Sequence, residues 1–509
     1  METQKRLGHL LLFSFLFFKI VIQYFVVNPV YELQRDEYLH LDQAKHLAWG
    51  YHSVPPVSSW ISWIILQFGN SHFWVKFFPS LFGALTILIV WKTIESLRGN
   101  LFACILAATA LLFSVLVRIN ILYQPNSLDI LCWTFSYYTI IRFIQTNDKK
   151  WLYWLAVGLA FGFLNKYNIA FCLLGVLPAL ALSVHRKLYF NKHLYFASLL
   201  ALLLISPNLL WQYQNGFPVF AHMKELEETQ LVHVSRMSFL KEQIFFFIGS
   251  ISILVAAFVS FFTYTPFRPY RFLFWAFVFS IGIFVFLKAK AYYAIGLYPI
   301  FFAFGSIYVS HLLNNGWKFY LRYALVAIIL FFFYVMLEIS LPIYTPEKYV
   351  RDAEQKLPFS EHTWEDGKKY PISQDFADML GWKELAHKVD SIYASLPEKE
   401  GVLILCDNYG QAGAINYYTK IDGLKVDAFN TDYDKWVNLD RQINTVIRIK
   451  TAKNLNSTRD LTLFSKITTV GKLENPFSRE NGTRLILLEQ PKIDLAALLR
   501  EERAKGNLQ

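Results

Sequence analysis

Asp36, Glu37 and Asp42 crowd into one short run, Arg35-Asp36-Glu37-Tyr38-Leu39-His40-Leu41-Asp42, in a chain with only 17% charged residues. Acids, bases and phenols gather again at Arg118, Gln124 and Asp129, at Lys166, and at Lys288, Lys290, Tyr292 and Tyr293. Carboxylates set beside lysines and tyrosines suit one kind of chemistry well. A carboxylate can take the proton from a hydroxyl as it attacks a sugar carbon. Lys or Arg can offset the charge that develops on a departing phosphate. A sugar phosphate carried on a lipid needs such a site at a membrane face, because its tail stays in the bilayer.

Each of these residues also has a plainer reading. Asp36 stands where a helix N-cap belongs and Gly50 where a helix stop belongs, and a cap contributes about 1 kcal/mol. Leu41, Ala44, Leu47 and Ala48 then share one face of a short amphipathic helix on the membrane surface. Asp129 could cap the helix after Pro125-Asn126-Ser127, and Lys288 and Lys290 could snorkel at a span end. Lys166 sits in a very short break between apolar blocks, where a topology charge is disfavoured. His40, His46, His52 and His72 lie near acids, but no His-Glu-x-x-His spacing accompanies them. No metal-ligand set emerges, so the cofactor is left open, a divalent metal included.

The elements that must position these groups are apolar. Of 509 residues, 55% are hydrophobic and 18% aromatic. The apolar excess falls in blocks of bilayer-crossing length, roughly 7–27, 73–94, 100–117, 127–144, 151–165, 168–184, 194–212, 240–262, 271–287, 292–312 and 318–341. That predicts an α-helical polytopic membrane protein with about eleven spans, or up to thirteen. Trp60 to Phe68 is too short to cross and reads as a second surface helix. The Lys5-Arg6 start, with no small-residue cleavage site after it, reads as an uncleaved first span.

The net charge of +11 resides mainly in the links between blocks, which argues for topology and against nucleic acid. With a cytoplasmic N-terminus, every inner link is basic: Arg98, Lys149-Lys150, His185-Arg186-Lys187, Arg268 with Arg271, and Lys318 with Arg322. All the candidate residues then fall on the outer face. Cys104, Cys132 and Cys172 lie in apolar segments and Cys406 stands alone in the tail, so no disulfide framework is implied. From Tyr344 the charge becomes ordinary. Val402–Leu405, Thr445–Ile449 and Leu485–Leu488 read as buried strands, and 375–395 and 411–419 as helices. The organisation expected is a transmembrane catalytic domain over 1–342, with surface helices in the first outer loop (28–72), and an extracytoplasmic α/β domain over 343–509. The two sequons, at Asn456 and Asn481, read as chance.

Several of these stretches resemble one family. Asp36-Glu37-Tyr38, Ala48-Trp49-Gly50-Tyr51 and Pro55-Pro56 are similar to the first outer loop of GT-C glycosyltransferases. The branch resembled is the bacterial one related to protein O-mannosyltransferases and lipid A aminoarabinose transferases. Gln124-Pro125-Asn126-Ser127-Leu128-Asp129 resembles its second-loop motif, and Lys166-Tyr167 its short lysine turn. Lys290-Ala291-Tyr292-Tyr293 with Tyr298-Pro299 resembles its late Lys-x-Tyr-Tyr motif. Gly381-Trp382 and Tyr409-Gly410-Gln411-Ala412-Gly413 look like its outer domain. The resemblance implies a GT-C fold and inverting transfer from a polyprenyl-phosphate sugar to a hydroxyl of lipid A, a glycan or a protein at the plasma membrane. It implies Asp36 as general base or acceptor-positioning carboxylate, with Glu37 supporting it or binding donor or acceptor, and Lys166 and Lys290 as phosphate contacts. Asp129 is expected to orient Arg118 or the acceptor.

Two other classes compete. A transporter or flippase of lipid-linked glycans would place ionisable groups near the bilayer midplane, often in repeated halves; here they cluster at span ends, and no repeat is visible. A receptor with an outer ligand-binding domain leaves the clustered polar loops unexplained.

Overall fold

The computed structural model describes residues 2–356, 362–454 and 458–505; the sequon at Asn456 lies outside them. Two compact units emerge. The first comprises Met1–Val27, Val54–Ser58 and Asn70–Ile343, and the second Asn28–Ser53, Ser59–Gly69 and Tyr344–Gln509. Most of the loop 28–72, expected within the transmembrane domain, thus groups with the tail.

The first unit is helical throughout, and each apolar block of the sequence forms helix. Among the described residues, four helices are long and apolar enough to cross a membrane: His72–Ser96, Lys192–Gln214, Thr265–Phe286 and Gly316–Ser340. Two bent pairs, Arg236–Phe245 with Ile248–Thr263 and Ala291–Leu297 with Pro299–Leu312, raise the number to six if each is one span. The other blocks among the eleven expected form helices that are short, such as Leu101–Leu112, or that carry polar residues, such as Pro125–Thr146 with Asp129, Arg142 and Gln145. Lys192–Gln214 buries only Ala197, Asn208 and Gln212, and Leu321–Ser340 only Ile329. Leu202, Leu203 and Phe331 stand exposed on them. Apolar helices with such flanks are stable where lipid covers them.

The second unit is an α/β fold. Its strands are β1 (His362–Thr363), β2 (Lys369–Tyr370), β3 (Val402–Cys406), β4 (Asp427–Ala428), β5 (Thr445–Lys450), β6 (Phe464–Lys472) and β7 (Arg484–Pro491). Five form one sheet in the order β4-β3-β5-β7-β6, with β3 parallel to β4 and β5, and β7 antiparallel to β5 and β6. All of β3 is buried, as its unbroken apolar run Val402-Leu403-Ile404-Leu405 requires of a central parallel strand. The helix expected over 375–395 is divided into Gln374–Ala377 and Trp382–Ser395, because Gly381 takes a left-handed φ of +89°. The helix Tyr409–Tyr418 matches expectation closely.

The first loop is built into this unit. Its helix, Arg35–Asp42, is shorter than the sequence suggests, and Gln34 rather than Asp36 caps it. The Gln34 side chain accepts from Asp36 N, while Glu37 accepts from Gln34 N, a reciprocal capping box. The helix stops early because Tyr51 folds back, its hydroxyl donating to His46 O at 3.0 Å and accepting from Ala48 N at 3.1 Å. Glu37 to Asp42 are all buried, so this helix is packed on its polar as well as its apolar side. Tyr38, fully buried, packs edge-on against Trp382, Tyr417 and Tyr418. A Cβ at Gly413 would come within 2.8 Å of Tyr38 Cβ, so the helix pair approaches to backbone contact.

Buried carboxylates stitch loop to tail. Glu32 accepts from Trp382 N (2.7 Å) and Lys383 N (3.0 Å), capping that helix from a distance in sequence. Asp42 accepts from Tyr433 Oη (2.7 Å) and Asn416 Nδ2 (2.8 Å). Asp378 accepts from both Arg479 and Gln34. Burial pushes the Asp378 carboxyl up to about 6 against the opposing pull of Arg479 and Arg35, from an ordinary 3.8. Between those values the native chain holds a proton that the unfolded chain releases. The stability from this group is therefore full below about pH 4 and lost as pH rises through 6. Thermal unfolding of the full chain should show wild type gaining on Asp378→Asn as pH falls from 7 to 4.5, by about 2 kcal/mol. A gap that stays constant or runs the other way would contradict this.

Candidate active site

In the second unit, Asp36 lies in the first turn of the helix Arg35–Asp42 and is half-buried. Its Oδ1 accepts a hydrogen bond from Tyr409 Oη at 2.7 Å. The Arg35 guanidinium lies over the Tyr409 ring, 4.3 Å from its centroid. Glu37, next in sequence, is fully buried, and its carboxylate is turned to the backbone of Gln34. His40 is buried, with Nδ1 3.3 Å from Gln43 Oε1. Burial lowers the His40 imidazole below its ordinary value, against the pull of Asp36 and Glu37.

In the first unit, Pro125 opens the helix Pro125–Thr146, a position where its missing N–H costs nothing. Asp129 sits just inside, in the interior rather than at the cap. Its carboxylate, 3% exposed, accepts from Trp133 Nε1 at 3.2 Å and Asn168 Nδ2 at 2.7 Å. Asn168 also donates to Tyr293 O at 3.0 Å. One amide thereby ties the start of that helix, the Lys166 turn and the turn Ala291–Leu297 together.

Lys166 has extended backbone between two helices. Its Nζ donates to Asn126 Oδ1 at 2.6 Å and stands 4.3 Å from the ring centroid of Tyr293 and 5.2 Å from that of Tyr292. No carboxylate forms an ion pair with it among the described residues. Burial lowers the ammonium below its ordinary value; Tyr293 and Asp129 raise it, and Lys290 lowers it further. Lys290 donates to Gln230 Oε1. The structure thus gathers Asp129, Lys166, Tyr292 and Tyr293 into one cluster, with Lys290 near enough for its charge to reach Lys166.

Lys288 is exposed, in left-handed backbone at φ +50°. Arg118, on the short helix Leu116–Asn120, exerts its charge on Glu242. Asp129 engages Trp133 and Asn168, not Arg118. Asn126, Asn168 and Tyr409 were not among the residues picked from sequence. The two asparagines carried a signal, as amides in breaks between apolar blocks; Tyr409 carried none beyond its place in the outer-domain motif.

Residues 53–211 match the family model described as dolichyl-phosphate-mannose-protein mannosyltransferase. That stretch contains Arg118, Asp129 and Lys166 and begins after Asp36. A comparison with curated proteins gives no match. Among solved structures, ArnT from Cupriavidus metallidurans bound to undecaprenyl phosphate aligns at 12% identity, with TM-score 0.59, over 96% of this chain and 98% of its own. The apo state of the same protein aligns at 13% identity, with TM-score 0.58, over 94% and 97%. The resemblance carried by the loop motifs is therefore shown on two counts, a family-model match over part of the chain and a shared architecture over nearly all of it: the chain has the GT-C fold of ArnT.

Proposed function

We propose that the protein is an integral-membrane glycosyltransferase that moves a sugar from a polyprenyl-phosphate donor to an acceptor hydroxyl. The observation that carries the reading is Lys166. It is a partly buried ammonium with no carboxylate at ion-pair distance among the described residues, feeling Asp129 only through charge, backed by two tyrosine rings and steered by Asn126. A cation so placed is pre-organised for an anion, and a phosphate supplies one. The shared fold adds the ligand class, since the ArnT structure holds undecaprenyl phosphate.

In this reading the acceptor oxygen forms a bond to the anomeric carbon as the carbon–oxygen bond to the phosphate breaks, with inversion. The bonding pair leaves on the phosphate, and the acceptor proton passes to Asp36. Lys166 and Lys290 offset the charge gathered by the departing phosphate, with Tyr292 and Tyr293 shaping that seat. Asp129 and Asn168 hold the Lys166 turn in place. Glu37 fixes the start of the helix that presents Asp36. Arg118 and Lys288 remain candidates for lipid or acceptor contacts. The acceptor is lipid A, a surface glycan or a protein, and the protein resides in the plasma membrane with its N-terminus cytoplasmic and its α/β domain outside.

The test is release of undecaprenyl phosphate by purified full-length protein. Undecaprenyl phosphates carrying a hexose or an aminopentose are presented with envelope lipid extract as acceptor. Wild type should release the lipid phosphate only when acceptor is present; movement of intact donor without cleavage would contradict the reading. Asp36→Asn should lower the rate about a hundred- to ten-thousand-fold, and near-normal release would remove Asp36 as the base. Lys166→Met should lower kcat about a hundredfold or more, and an unchanged rate would remove the phosphate seat.

A further inference from the structure

Asp36 belongs to a loop near the N-terminus, yet a group from the far end of the chain holds its carboxylate. Tyr409 opens the helix Tyr409–Tyr418 shortly after β3, at the carboxyl end of the parallel strands β3, β4 and β5. In open α/β sheets this end forms the crevice that receives a ligand. Here the chain's own Arg35 and Asp36 stand there against Tyr409.

The tyrosine is gripped on two sides. Arg35 covers its ring face at 4.3 Å, and its hydroxyl donates to Asp36 Oδ1 at 2.7 Å. Gly410 makes the approach possible, because a Cβ there would come within 2.5 Å of Arg35 Cγ. Helix packing alone would need neither a phenol at 409 nor an acid at 36. The charged surroundings are mixed: Arg35 and His40 on the loop helix, Asp378 beside them, and Arg479 and Glu480 next to Arg35, Tyr409 and Asp378.

We propose that Tyr409 is a positioning residue for sugar transfer, its hydroxyl fixing the rotamer of the Asp36 carboxylate through the hydrogen bond to Oδ1. This rests on the reading of Asp36 as general base. A fixed donor on one carboxylate oxygen stabilises the anion, which is the form that accepts the acceptor's proton. The outer α/β domain thereby contributes directly to the reaction as the holder of the base.

The experiment compares wild type, Tyr409→Phe and Asp36→Asn as full-length protein. The substrate is the undecaprenyl-phosphate hexose or aminopentose that wild type turns over, and kcat, donor KM and the pH profile of kcat are read. Phe keeps the ring beneath Arg35 and removes only the donor. Tyr409→Phe should lower kcat tenfold or more, leave donor KM within about twofold, and move the acid limb of the profile to higher pH by about half a unit or more. Replacing Tyr409 with 3-fluorotyrosine, a stronger donor of the same shape, should move that limb to lower pH, and it decides the matter if the Phe variant does not fold. A Tyr409→Phe enzyme with kcat within twofold and an unmoved limb overturns the proposal. So does a lower kcat with an unmoved limb and a raised KM, the mark of a merely structural role. Full activity of Asp36→Asn overturns instead the reading of Asp36 as base, so the two failures are distinguishable.

Discussion

Three carboxylates of one loop, Glu32, Asp36 and Asp42, each end on donors that come from the tail. A buried acid without such partners costs several kcal/mol, so it is retained only where donors meet it. Here the donors lie more than three hundred residues away: the backbone N–H groups of Trp382 and Lys383, and the hydroxyls of Tyr409 and Tyr433. Loop and tail therefore form one folding unit although the apolar helices separate them in sequence. This constraint fixes where Asp36 is and in which direction its carboxylate turns.

The helical unit solves the same problem with amides. Asp129 would be costly in apolar surroundings, and Asn168 meets it, while Asn165 donates to Pro125 O at 2.8 Å. These short polar bonds hold the turn from which Lys166 projects. The lysine itself receives aromatic faces and an amide oxygen, a softer environment than an ion pair.

What was legible in the sequence followed from local physics. Apolar blocks of the right length became helices, and the runs at Val402, Thr445 and Leu485 became the strands β3, β5 and β7. The motif residues Asp129, Lys166, Tyr292 and Tyr293, scattered over more than 160 positions, share one cluster. In the first loop, periodicity reports only that one face is apolar. It cannot reveal that the polar face of 35–42 is buried as well, against partners drawn from the tail. The same limit hid Gln34 as the cap, since a capping box depends on side-chain geometry as well as residue type. Tyr409 was illegible for a stronger reason: its role exists only once β3 and the loop helix are assembled.

Hydrogen exchange of the full-length protein, read at residues 35–42 and 409–418, tests most directly whether the loop that carries Asp36 is part of the α/β domain. If it is, the two segments exchange slowly and with matching protection, opening together as one cooperative unit. Rapid exchange of 35–42 beside a protected 409–418 would show a loop that moves independently of the tail, and would contradict the account.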